Sequence, residues 1–281
     1  MLPYINIGSN EIQLYPVVCG LVYVLTVFVG WGYSYCCRIK PWKGAILSFS
    51  VILLSIPVMF VLSWVDTGFK GIGTINGLRV WLYSGFLSMP IAKLLKVDYK
   101  CHLDFSCVVV LFGQAFGKVA CIFEGCCHGF PYDGPGAMYH YNVNDYLFPV
   151  QICEAVTLLG ILVFIIVISA VKKFRIYGNR YPIAMFFYGS TRVLWEFFRD
   201  NKKLFYIGEY GVSNLALHAL YITVFSAVWF FFTTPRGIYC AKKMENGIRK
   251  IFKKGMKEIP TIEEIKARLK KEADDSLLIA C

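Results

Sequence analysis

Apolar residues gather in seven runs, at 14–35, 45–65, 78–95, 103–123, 149–171, 181–198 and 212–232. Each is near the ~20 residues a helix needs to cross a bilayer core. Gly85 and Pro90 interrupt the third run, and the sixth is short and carries charges. The expected fold class is all-α: a polytopic membrane protein with seven transmembrane helices over residues 1–233. A basic helical tail, 234–281, follows. In it Met244, Ile248, Ile251, Phe252, Met256 and Ile259 recur at helical spacing among lysines. That pattern reads either as a helix on the inner leaflet or as a solvated tail that fixes orientation. Pro260 ends the pattern, and Thr261 and Glu264 have capping-box spacing for a second helix.

Composition agrees with the runs. Charged residues make up 17% of the chain and hydrophobic ones 57%, with a mean hydropathy of +0.55. A soluble domain carries about 25% charge, so that class is excluded. Met1 to Leu14 hold no Lys or Arg, and the first apolar run is long enough to span, so no cleavable leader is expected. The cysteines are scattered through apolar runs, as at Cys19, Cys107 and Cys153. Buried free Cys is a small hydrophobe, so the count does not argue a disulfide framework.

Loop charge sets the orientation. Arg38, Lys40 and Lys43 follow the first run, Lys93, Lys96 and Lys100 the third, and Lys172, Lys173, Arg175 and Arg180 the fifth. The loop from Glu124 to Phe148 has no Lys or Arg. The N-terminus and that loop are therefore expected outside and the C-terminus in the cytoplasm. Arg199, Lys202 and Lys203, on the outer side, dissent.

The sixth run holds the most telling chemistry. Tyr188, Arg192, Glu196 and Arg199 fall on one helical stripe. A charge in mid-bilayer costs roughly 2.5–3.5 kcal/mol on insertion scales, so such charges pair inward or bind something charged. The stripe reads as the wall of a site for an anionic group at lipid depth. Three other segments on the same side offer partners: GKVACIFEGCCHG (117–129), FPVQICE (148–154) and LYSGF (82–86). Lys118 is either a snorkelling cation or a ligand. Glu154 and Glu196 can pair with Lys118 and Arg192. Tyr83 can equally be an interface aromatic. Cys121, Cys126, Cys127 and His128 have spacing unlike a usual zinc pattern, and adjacent cysteines do not easily both ligate one tetrahedral ion. No metal and no cofactor are expected. A redox pair at Cys126 and Cys127 stays open.

In order along the chain, these segments resemble the prolipoprotein diacylglyceryl transferase family. YPVVCGLVY resembles its first-span signature, with Cys19 where Tyr is usual. LYSGF resembles its His-Gly-Gly segment, with Tyr83 in the His position. GKVACIFEGCCHG resembles the signature R-x-G-N-F-x-N-x-E-x-x-G: Lys118 stands for its Arg, Cys121 and Glu124 for its two Asn, and Gly129 matches. FPVQICE, with Gln151 and Glu154, is similar to its Pro-x-Gln-x-x-Glu. Tyr188, Arg192 and Glu196 match its Tyr-x3-Arg-x3-Glu unchanged. The Gly-Cys-Cys-His-Gly form resembles a divergent branch.

The resemblance implies a transferase of the bacterial inner membrane. A diacylglyceryl group would pass from phosphatidylglycerol to the lipobox cysteine thiol of a prolipoprotein, releasing glycerol 1-phosphate. Its partners would be phosphatidylglycerol, the prolipoprotein signal peptide with its lipobox, and the bilayer; nucleic acid is not among them. Arg192, Lys118 and Tyr83 would act in catalysis. Tyr188, Glu196, Cys121, Glu124, Gly129, Gln151 and Glu154 would line the substrates. Tyr83, in the His position, would accept the thiol proton, although an ordinary Tyr, with pKa near 10, is a weak base. Three other readings stand beside this one: a headgroup transferase with another acceptor, a non-catalytic binder of anionic lipid, and a thiol-redox membrane protein.

Overall fold

The computed structural model describes residues 4–7, 10–66, 83–141, 143–170, 178–199, 204–207, 210–252 and 262–278. Helices carry the fold. In chain order they are α1 (Leu14–Cys36), α2 (Pro41–Asp66), α3 (Met89–Leu94), α4 (Tyr99–Glu124), α5 (Val150–Ala170), α6 (Arg180–Glu196), α7 (Asn214–Thr233), α8 (Pro235–Phe252) and α9 (Ile262–Leu278). Among the described residues, α1, α4 and α5, with residues 41–61 of α2 and 215–233 of α7, are long and apolar enough to cross a membrane. Their outer faces are greasy and exposed: Val17, Leu21 and Phe28 on α1, Val156 and Val163 on α5, Leu220 and Val224 on α7. Lipid, not water, suits such faces. The chain is a multi-pass membrane protein.

The third apolar run is not one continuous helix. Residues 83–87 are helical, Ser88 breaks the run, and α3 restarts at Met89 with Pro90 in its first turn. A proline there lacks only a donor that has no helical partner anyway. Residues 78–82 lie outside the described residues, as do Lys172, Lys173, Arg175, Lys202, Lys203, Met256, Ile259, Pro260 and Thr261.

Among the described residues three antiparallel hairpins accompany the helices, which the periodicity did not announce: β1 (Tyr4–Ile7) with β2 (Asn10–Gln13), β3 (Met138–His140) with β4 (Asp145–Leu147), and β5 (Leu204–Ile207) with β6 (Tyr210–Ser213). The first leads into α1 and the last into α7, where Ser213 caps the helix by accepting from the Ala216 N–H at 3.0 Å.

α4 is the central element. Cys101, Leu103, Phe105, Cys107, Val108 and Leu111 are all buried on it, packed among residues of α1, α5, α6 and α7. Its buried Asp104 reaches across to the start of α6. One carboxylate oxygen accepts from the Arg180 and Tyr181 N–H groups at 3.0 and 2.9 Å, and the other from Gly178 N–H at 2.8 Å. Helix N-termini leave such donors unpaired, so a side chain from another helix caps α6. At this end also lie Arg38, Lys40, Lys93, Lys96 and Lys100. The opposite end collects the β3–β4 hairpin, the N-termini of α5 and α7 and the C-terminus of α6.

α8 follows α7 directly, with Thr234 accepting from Gly237 N–H at 3.0 Å. Ile265 and Leu269 of α9 pack on Tyr239 of α8. The tail thus holds two helices, as its periodicity predicts.

Candidate active site

At the end opposite the Asp104 cap, α4, α5 and α6 bring their charges together. Glu154, on the first turns of α5, is the hub. Its Oε2 lies 2.7 Å from Lys118 Nζ of α4 and 2.6 Å from Arg199 Nη2, just past α6. Its Oε1 accepts from Arg192 Nη1. Arg192 Nη2 turns back to Glu196 Oε2 at 3.0 Å, one helical turn on. Glu196 Oε1 accepts from the Ser213 hydroxyl at 2.8 Å. All five charged side chains are largely buried, Lys118 being the most open at 13% exposure.

Charge bookkeeping decides what the cluster can take. Three cations, Lys118, Arg192 and Arg199, face two carboxylates, Glu154 and Glu196, among the described residues. Carboxylates alone leave one positive charge over at low dielectric, where unbalanced charge is expensive, and the Cys127 thiol lies beside the same cations. Arg199 Nε adds a buried N–H with no hydrogen-bond acceptor among the described residues, 3.9 Å from Glu196 Oε2. Burial opposes the Arg199 charge, and Glu154, Cys127 and Glu196 together outweigh it and raise its pKa. A single anionic group placed here would balance the charge and accept from donors already oriented. Tyr188, buried one turn before Arg192, extends this wall.

A turn of unusual backbone lies above the cluster. Gly125 closes α4 in the left-handed region (φ 68°), and Cys127 is left-handed too (φ 61°). A non-glycine residue rarely adopts this conformation. The double reversal folds both thiols back on α4: Cys121, Cys126 and Cys127 have all three sulfurs within 4.8 Å of one another. The spacing makes it hard for adjacent cysteines to share one ion, and the left-handed Cys127 brings their thiols close. Gln151, one turn before Glu154, donates to the Cys126 carbonyl at 2.8 Å and fastens the turn to α5. Hydrogen bonds from the Cys121 and Cys126 thiols, with the charges of Lys118 and Arg199, pull the Cys127 thiol well below its ordinary range. Cys126 is pushed the other way by the same thiol contacts and by burial.

Gly129 joins this turn to α6. It donates to Phe148 O at 3.1 Å and bridges to Arg199. A Cβ here would stand 2.7 Å from Phe148 O and 2.9 Å from Phe198 O, so the close approach requires glycine. The ring of Phe148 stacks on Phe130 and Phe198 at centroid distances of 5.6 Å, roofing the charges.

Of the residues singled out from sequence, Arg192, Lys118, Glu154 and Glu196 meet in one ion cluster, and Tyr188, Gln151, Cys121 and Gly129 surround it. Glu124 ends α4 and accepts from Gln13 Nε2 at 3.3 Å, on the same side. Tyr83 is different. It is 42% exposed, and its neighbour Phe86 packs on Tyr181 and Trp229, at the capped end of α6. From Tyr181 to Arg192 the helix rises about 16 Å. Among the described residues, no contact joins Tyr83 to the cluster.

Two contributors went unrecognised as site residues. Arg199 was on the stripe, yet its charge counted as a loop dissenter; it is neutralised by Glu154 and is no loop charge. Ser213 gave no sequence signal, since the β5–β6 hairpin delivers it.

Comparison with known proteins agrees with this geometry. Residues 4–232 match the family described as prolipoprotein diacylglyceryl transferase. A phosphatidylglycerol–prolipoprotein diacylglyceryl transferase of Dehalococcoides mccartyi is 27% identical over 256 residues, covering 78% of this chain and 90% of that protein. One from Clostridium tetani is 27% identical over 150 residues, covering 51% of this chain and 56% of that protein. A buried ion cluster built by three helices and a match over most of the chain lead to one conclusion: the chain belongs to the prolipoprotein diacylglyceryl transferase family.

Proposed function

We propose that this protein transfers a diacylglyceryl group from phosphatidylglycerol to the lipobox cysteine thiol of a prolipoprotein and releases glycerol 1-phosphate. One observation carries the reading: three buried cations, Lys118, Arg192 and Arg199, converge on two carboxylates. Phosphatidylglycerol carries one negative charge, on its phosphodiester. Family membership supports the same substrates.

The geometry suits the chemistry. The donor phosphate settles against Arg192, Arg199 and Lys118. As the bond from the diacylglyceryl carbon to the phosphate oxygen breaks, that oxygen gains charge. Cations fixed in a dry site stabilise this state more than the bound lipid, which accelerates the step. Glu154 and Glu196 hold the guanidinium groups in place, their oxygens engaged by Lys118, Arg192, Arg199 and Ser213.

The membrane arrangement follows. Residues 1–233 form a seven-span domain, with α6 as the short sixth span and the broken 78–95 segment as the third. The ion cluster lies at the outer leaflet of the bacterial inner membrane, the N-terminus is outside, and residues 234–281 are a cytoplasmic tail. The basic residues at the Asp104 end support this orientation. The test is rescue of a bacterium depleted of its own transferase, with the lipoprotein product read by mass spectrometry. A precursor that gains the mass of a diacylglyceryl group supports the reading. An unmodified precursor, with the protein inserted at normal levels, refutes it.

A further inference from the structure

The transfer step proposed above gives the Cys121–Cys126–Cys127 triplet no role. We infer that its thiolates bind a zinc-class divalent cation whose fourth position takes the lipobox thiol, so that the triplet activates the nucleophile. This rests on the transfer reaction proposed above.

Four observations carry it. First, the three sulfurs lie within 4.8 Å of one another. A tetrahedral zinc with sulfurs at about 2.3 Å holds them about 3.8 Å apart, so small side-chain rotations close the site. Second, the convergence is built. It needs the left-handed Cys127, where a non-glycine residue is strained, and strain of this kind persists only where surrounding structure enforces it. The Gln151 bond to the Cys126 carbonyl supplies that enforcement. Third, three protein ligands with an open fourth position mark a catalytic zinc site, whereas a structural site is closed by four. His128, the next residue, keeps its Nδ1 on the Gly129 carbonyl at 3.2 Å. Fourth, the triplet borders the lipid cations. Cys121 is one turn beyond Lys118 on the same face of α4, and Gln151 one turn before Glu154 on α5.

The reaction needs this help. A free thiol with pKa of about 8.5 is only about 3% thiolate at pH 7. Among the described residues, no contact places Tyr83 at the cluster as a base. A thiol bound to the cation is deprotonated outright, and its proton passes to solvent water. The sulfur lone pair then attacks the diacylglyceryl carbon beside the phosphate. The sulfur–carbon bond forms as the carbon–oxygen bond breaks, and that electron pair leaves on the oxygen of glycerol 1-phosphate. The thioether is a weak ligand and departs. No electron is exchanged with the ion.

The full chain, purified in detergent with its thiols kept reduced, is assayed for metal by mass spectrometry. It is then chelated and reloaded with cobalt(II). The expected result is about one ion per chain, lost in Cys126→Ser and Cys127→Ser. A thiolate–cobalt charge-transfer band should shift when a lipobox peptide is added and stay unchanged with its Cys→Ser counterpart. Chelating the unmodified chain should slow transfer by up to about thirtyfold at pH 7, the inverse of the free thiolate fraction, and zinc should restore it. Only trace metal, metal unaffected by both substitutions, a spectrum blind to the peptide, or a disulfide within the triplet in cells overturns the inference. If metal and peptide bind as stated but phosphatidylglycerol donates nothing, the transfer reading fails and the site stands. If transfer proceeds at full rate in the chelated chain, the site fails and the transfer reading stands.

Discussion

Lys118 on α4 and Glu154 on α5 meet at 2.7 Å, with 13% and 3% of their side chains exposed. The contact answers how a lysine fits where the family signature has an arginine. An ammonium reaches one carboxylate oxygen as a point charge, and Arg199 takes the other side of that same oxygen at 2.6 Å. The bidentate fork that lysine lacks is supplied by Arg192, which spans Glu154 and Glu196.

Lys118 should therefore matter for its charge. Lys118→Arg should keep activity. Lys118→Met should lower transfer from phosphatidylglycerol by roughly ten- to a hundredfold, the worth of a charge-assisted contact of about 1.5–3 kcal/mol. Rates in matched detergent samples decide. Equal rates for Lys118→Met and the parent chain would make Lys118 a packing residue only.

Glu154 should be the residue on which the site's stability rests. Glu154→Gln strips the hub from three cations. Removing one partner of a buried ion pair costs about 3–5 kcal/mol. Thermal unfolding in detergent should show a clear drop for Glu154→Gln and little change for Gln13→Ala, whose contact with Glu124 is exposed. An unshifted transition in Glu154→Gln would contradict the hub.

Asp104 separates folding from chemistry. It caps α6 at the end away from the cluster. Asp104→Ala leaves three buried N–H groups without this acceptor and should destabilise the protein by at least 1–3 kcal/mol, the cost of one such loss. Below its lowered melting point, transfer should stay near the parent rate. An Asp104→Ala protein that melts normally, or that melts low yet binds phosphatidylglycerol poorly, would dispute that division.

The tail should be dispensable for turnover. α8 begins just after α7, on the cytoplasmic side in the proposed orientation. Truncation after Thr234 should leave transfer intact in membranes that contain equal protein. Loss of all turnover would place the tail in the mechanism and overturn the orientation.

Much of this was legible before the fold was seen. Hydropathy finds the long helices because a bilayer imposes a length on them, and the ends of α1 and α5 fall within a residue or so of the apolar runs. The stripe through Tyr188, Arg192 and Glu196 is legible because helical pitch is fixed. Other features depend on contacts far apart in sequence. Nothing local reveals that Asp104 caps a helix that starts at Arg180. The hairpins are too short to alternate visibly, so Ser213 was not seen. Cysteines adjacent in sequence normally point apart; only the left-handed Cys127 brings them together. Arg199 misled because the positive-inside rule counts free loop charges, and its charge is spent on Glu154.

Arg192 tests the account most directly, because it bridges both carboxylates from within α6. The measurement is transfer of labelled diacylglyceryl from phosphatidylglycerol to a lipobox peptide by purified Arg192→Ala protein, alongside its melting curve. The account predicts a folded, membrane-inserted protein with no detectable transfer. A folded Arg192→Ala protein that transfers at the parent rate would contradict it.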